Sequence, residues 1–121
     1  MKAILIIEDE QNLVDLLKFR LEANDYKVEV AFDGKDGLEK IRRLKPGLVI
    51  LDVMMPKMHG YEVCRISKKE EATKDIPILM LTARAQAKDM EEAKRAGADA
   101  CIAKPFESAE LLAEIKRLLK A

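Results

Sequence analysis

Residues 47–52 read GLVILD, and the stretch before the aspartate has no polar position on either side of an extended chain. A strand with one face in water alternates apolar and polar residues. A run that is apolar throughout belongs in a sheet covered on both faces, as parallel sheets are. Residues 3–7 (AILII) and 76–81 (IPILML) have the same character, 27–32 (KVEVAF) alternates and suits an edge, and 100–103 (ACIA) is a shorter fifth run. Longer segments of helical period separate them. This alternation predicts an α/β fold, an open doubly wound parallel sheet of five strands with five helices on its two faces.

Spacing marks the helix faces. Leu13, Leu16, Leu17 and Leu21 form the first, Leu38, Ile41 and Leu44 the second, and Leu111, Leu112, Ile115, Leu118 and Leu119 the last and clearest. Val63 with Ile66, and Met90 with Ala93, give two weaker stripes. Gly97 reads as a helix C-terminal cap, and FDGK and KPG read as turns.

Composition narrows the function. The 121 residues suit one domain spanning 1–121, and 49% hydrophobic with 36% charged residues describes a compact core with a charged exterior. Lys plus Arg equals Asp plus Glu at 22 each, so no overall field recruits nucleic acid or anionic lipid. The apolar run after Lys2 is too short for a signal peptide and no run approaches a membrane span, which leads us to expect a cytoplasmic protein. Cys64 and Cys101 lack CxxC or Cys/His spacing and read as reduced thiols rather than zinc ligands or a disulfide.

Ligands of open α/β sheets sit outside the carboxyl ends of the strands, near the point where strand order reverses. Those ends carry Glu8 and Asp9, Asp52, Thr82, and Lys104 before Pro105, while the second strand ends in the ordinary turn residues Asp33 and Gly34. Singly, each is more often a cap, a turn or a solvated charge. Together, clustered carboxylates at a buried sheet edge need a cation to offset their repulsion. Hard oxygen donors without nearby His or Cys favour Mg²⁺. A lysine and a threonine facing that ion would complete a clamp for a phosphoryl group at a carboxylate.

In this order and at these separations, IIEDE, LVILDVMMPKMHG, ILMLTA and CIAKPF resemble the receiver domain of two-component response regulators, over essentially the whole chain. The resemblance implies a flavodoxin-like strand order 2-1-3-4-5 and a single-domain switch of the chemotaxis type. Asp52 would be the phosphoacceptor, loaded from the phosphohistidine of a sensor histidine kinase or phosphotransfer protein and later emptied by water. Asp9, Asp52 and the backbone carbonyl of Met54 would ligate Mg²⁺, and Glu8 would act through a metal-bound water. Thr82 would hydrogen-bond the phosphoryl oxygen, Lys104 would pair with it, and a cis peptide would precede Pro105. Met54 and Arg84 would flank the site and tune the phosphoryl lifetime. Output would leave through the face of helix four, strand five and helix five, around Ala87–Arg95, Cys101 and Glu110–Leu118, towards a protein target, with no nucleic acid or membrane involved.

Three positions depart from the family pattern. Cys101 occupies the position, three before the lysine, where the family usually has an inward-turning Tyr or Phe. It raises the alternative of a receiver-fold scaffold that works without phosphorylation, although free Cys most often acts as a small hydrophobe. His59 stands where Asp often precedes Gly60, and reads as an exposed, weak cap rather than a relay histidine. Glu8 is a longer carboxylate than the usual Asp, and the methionines at 54, 55 and 58 read as turn packing. A haloacid-dehalogenase-type phosphatase would need an acid where Met54 stands, and an FMN carrier would not place EDEQ at its phosphate loop. Glu10 is expected in the first turn of the helix that follows, where its charge favours the dipole.

Overall fold

A computed structural model describes residues 2–55, 57–83 and 87–120. Five strands alternate with five helices: β1 (Ile4–Ile7), α1 (Gln11–Ala23), β2 (Val28–Ala31), α2 (Gly34–Leu44), β3 (Leu48–Asp52), α3 (Gly60–Lys69), β4 (Ile78–Thr82), α4 (Ala87–Arg95), β5 (Ala100–Ala103) and α5 (Ser108–Lys120). All pairings are parallel, in the order β2-β1-β3-β4-β5. The alternating run 27–32 is an edge as expected, and the three continuously apolar runs are the central strands, every residue of which is buried.

Successive strand side chains point to opposite faces, and the core divides accordingly. Leu5, Ile7, Val49, Leu51, Ile78 and Met80 meet α2, α3 and α4 on one face. Ile4, Ile6, Leu48, Ile50, Leu79 and Leu81 meet α1 and α5 on the other. Each fully buried Leu or Ile contributes roughly 1.5–3 kcal/mol through removal of its surface from water. This two-sided burial is why none of the three central strands tolerates a polar position before its last residue.

Two helix faces differ from the expected ones. In α1 the buried residues are Val14, Leu17 and Leu21, while Leu16 is 46% exposed. At 100° per residue, a face centred on Leu17 and Leu21 takes in Val14 and turns Leu16 outward. In α5, Leu111, Ile115 and Leu118 are buried, and the adjacent Leu119 turns outward. The expected cap at Gly97 holds, and the two turns flanking α2 supply its caps. Lys45 ends α2 in the left-handed region, and Gly97 (φ +99°) follows α4, where the Ala98 N–H bonds to Ala93 O in a Schellman-type closure. Asp33 caps α2 by accepting from the Asp36 N–H at 2.8 Å. Both cysteines are free thiols, and Cys101 is half-buried.

Candidate functional site

The register of the parallel sheet assembles the site. Ile7 lies opposite Leu51, Asp52 opposite Leu81, and Thr82 opposite Ala103. Glu8, Asp52, Thr82 and Lys104 therefore emerge at one edge, each within a residue or so of its neighbour's level. Carboxylate oxygens of Glu8, Asp9 and Asp52 lie within 4.8 Å of one another. Glu8, Asp52 and Thr82 are buried, and Asp9 is exposed.

Lys104 reaches into this cluster. Its Nζ donates to Glu8 Oε1 at 3.1 Å and to Asp52 Oδ1 at 3.2 Å. Its backbone N–H donates to Thr82 O at 2.6 Å, which joins β5 to the end of β4 at the rim of the site. The Lys104–Pro105 peptide is cis, as the resemblance implied. Glu8 Oε2 accepts from the Glu10 N–H at 3.1 Å. Glu10 is the N-cap residue of α1 rather than part of its first turn, and its side chain makes no capping bond. The Glu8 carboxylate takes that amide instead, so the helix start and the site share one hydrogen bond.

Burial pushes the Glu8 carboxyl up to about 7, and the nearby Asp52 charge adds to the rise against the opposing pull of the Glu10 amide and Lys104. Burial would lower the Lys104 ammonium, but Asp52 and Glu8 outweigh it and the net shift is upward. The sign for stability is the reverse of an ordinary salt-bridged acid. The folded state holds the Glu8 proton more tightly than the unfolded chain, whose carboxyl titrates near 4.5. Metal-free protein should therefore lose stability as pH rises from about 4.5 to about 7. Urea midpoints across that window measure the slope, and Glu8→Gln should flatten it; an unchanged slope in that variant would refute the assignment.

The described residues between Asp52 and Gly60 are held from two sides. The Gly60 N–H donates to Val53 O at 2.9 Å, and a Cβ at Gly60 would lie 2.3 Å from Asp52 O. A Cβ at Gly34, the first residue of α2, would lie 2.1 Å from Met58 O. Lys57, at φ 69°, pairs with Asp33 at 3.5 Å. His59 caps α3 by accepting from the Tyr61 N–H at 3.3 Å, the modest role expected of it. Of the three methionines, Met55 and Met58 pack against the core, but Met54 is 66% exposed, its Sδ 3.3 Å from His59 Nε2. Pro56 and Arg84 lie outside the described residues. Sequence reading missed the Glu8–Lys104 pair and the close approach at Gly60. A glycine opening a helix, where its propensity is poor, was the available signal for the second.

The model of the response regulator receiver domain matches residues 4–116. The chain belongs to that family. Such receivers are signalling switches of two-component systems rather than conventional enzymes, with an acidic Mg²⁺-binding pocket. The DNA-binding dual master transcriptional regulator RpaA of Synechocystis is 42% identical over 120 residues, 99% of this chain and 50% of that protein. The chain spans about half the length of the curated relatives it matches. A Chloroflexus aurantiacus crystal structure assigned as a response regulator superposes with TM-score 0.95 at 33% identity, covering 99% of this chain and 98% of that one. The receiver domain of the Pseudomonas aeruginosa sensor histidine kinase PA1611, with a magnesium ion coordinated in its active-site cleft, gives 0.92 at 28% identity, with the same coverages. Among the described residues of this receiver, no helix is long and apolar enough to cross a membrane.

Proposed function

We propose that this receiver accepts a phosphoryl group on Asp52 from the phosphohistidine of a sensor kinase or phosphotransfer protein. The carrying observation is that Asp52, only 5% exposed at the C-terminal sheet edge, sits within 4.8 Å of the Glu8 and Asp9 carboxylates and 3.2 Å from an ammonium. The donor set is all hard oxygen, which fits Mg²⁺, and the ion in the Pseudomonas receiver supports the same use here. Asp9, Asp52 and the Met54 carbonyl would hold the ion, with Glu8 acting through a water. Bound there, it supplies positive charge against the phosphoryl oxygens.

The chain's own residues do the rest. An Asp52 carboxylate oxygen attacks phosphorus in line, forming the O–P bond as the N–P bond of the donor breaks and the imidazole leaves with the electron pair. Lys104 neutralises charge on the transferred group, and the Thr82 hydroxyl donates to one of its oxygens. Water later cleaves the acyl phosphate, releasing inorganic phosphate and restoring Asp52. Output would leave through the face of α4, β5 and α5 to a protein target. The balanced charge of the chain favours protein over nucleic acid as the direct partner of this domain.

Incubation with Mg²⁺ and a small phosphodonor should add about 80 Da by intact-mass measurement, in an acid-stable, base-labile form. Asp52→Ala and chelation of the metal should each abolish the adduct. If the parent protein gains none, the proposal fails and a phosphorylation-independent scaffold, for which Cys101 speaks, takes its place.

A further inference from the structure

Tyr61 is fastened at both ends. On its main-chain side it follows Gly60, whose Cα packs so closely on Asp52 and Val53 that a Cβ there would approach Asp52 O to 2.3 Å and Val53 Cα to 2.8 Å. Any movement of the acceptor backbone must therefore carry the start of α3 with it. At its other end, the Tyr61 hydroxyl donates to the Asp89 carbonyl in the first turn of α4 at 3.3 Å, and the ring packs against the same apolar cluster as Cys101.

The residue at the far end of this strut carries a second, unsatisfied acceptor. Asp89 Oδ2 is a buried oxygen with no hydrogen-bond partner among the described residues, an arrangement that is costly unless another state satisfies it. It belongs to the residue whose carbonyl already holds the Tyr61 hydroxyl, and the hydroxyl is held above its usual range by burial and then by the Asp89 charge, as is the Cys101 thiol. The remaining α3–α4 tie described, Arg65–Glu92 at 3.7 Å, is exposed on both sides and too weak to transmit a shift.

We propose that Tyr61 is the coupling residue that reports the state of Asp52 to α4, by moving its hydroxyl between the backbone carbonyl and the carboxylate of Asp89. With Asp52 free, the hydroxyl rests on the carbonyl and leaves Oδ2 unpaired. A loaded Asp52 displaces Val53 and Gly60, and the hydroxyl passes to Oδ2, a charge-assisted and therefore stronger bond that draws the first turn of α4 with it.

This inference rests on the phosphoacceptor reading, and one experiment separates the two. Beryllofluoride with Mg²⁺ serves as the phosphoryl mimic, its binding read by ¹⁹F resonance and the response of α4 by amide shifts of Ala87–Arg95. The parent protein should bind the mimic and shift α4. Tyr61→Phe, which keeps the ring, should bind it within about twofold of the parent affinity yet lose more than about half of the α4 shift. Asp89→Ala, which keeps the backbone carbonyl, should lose a similar share, and the double variant no more than either single one. Full α4 shifts in either single variant would overturn the coupling, as would additive losses in the double variant. A parent that binds the mimic with α4 unmoved would overturn the coupling alone, whereas a parent that binds none would overturn the phosphoacceptor reading and the coupling with it.

Discussion

Replacing Lys104 by Met should destabilise the metal-free protein by about 3–5 kcal/mol at pH 8, the range for removing one member of a buried ionic cluster. Its ammonium contacts two carboxylates, Glu8 and Asp52, whose side chains are 2% and 7% exposed. Methionine fills comparable volume, so the loss would come from charge left uncompensated rather than from a cavity. Glu8 has one escape, which is to take a proton, and its carboxyl already titrates at about 7. The cost should therefore shrink at pH 5.5, where that proton is present in both proteins. Millimolar Mg²⁺ should restore much of the lost stability at pH 8, because a divalent ion offsets the same repulsion. Urea midpoints of parent and Lys104→Met with chelator, with Mg²⁺ and at both pH values test each part. Equal midpoints with chelator at pH 8 would show that the ammonium does not stabilise this cluster.

Gly60→Val should be comparably severe for a steric reason. Its Cβ would lie 2.3 Å from Asp52 O, 2.8 Å from Val53 Cα and 3.0 Å from Val53 O, and none of these is a side chain that can rotate away. Relief requires α3 to back off from the end of β3, which also costs the Gly60–Val53 hydrogen bond. A loss of about 3 kcal/mol is expected from overpacking of this kind, together with weaker Mg²⁺ binding because Asp52 moves with its backbone. Gly37→Ala is the useful contrast. The atoms its Cβ would meet, at 2.6–2.9 Å, all belong to the Ile7 side chain. Repacking there should cost stability while leaving Mg²⁺ affinity near that of the parent, measured by titration of both variants. Equal Mg²⁺ affinities in the Gly37 and Gly60 variants would remove Gly60 from the positioning of the acceptor.

The strands were legible in the chain because burial on both faces demands apolar residues at every position, and because runs as short as 47–51 alternate with longer segments of helical period. The amphipathic helices were legible in outline, but a stripe of leucines is wider than the face that packs. Only the docked angle of α1 chose Val14 over Leu16, and only that of α5 turned Leu119 outward.

At the site the division is sharper. Sequence alone determined that carboxylates, a hydroxyl and an ammonium end the strands, since a sheet edge concentrates whatever follows its buried runs. Tertiary structure alone decided which of them touch. Glu8 and Lys104 stand 96 positions apart and meet at 3.1 Å because β1 and β5 end at the same edge of one sheet. Gly60 became a fixed point because the backbone of β3 passes within a methyl group's width of it. Local pattern records what a residue needs from water and from its neighbours along the chain, and it carries no record of which distant partner the folded sheet will supply.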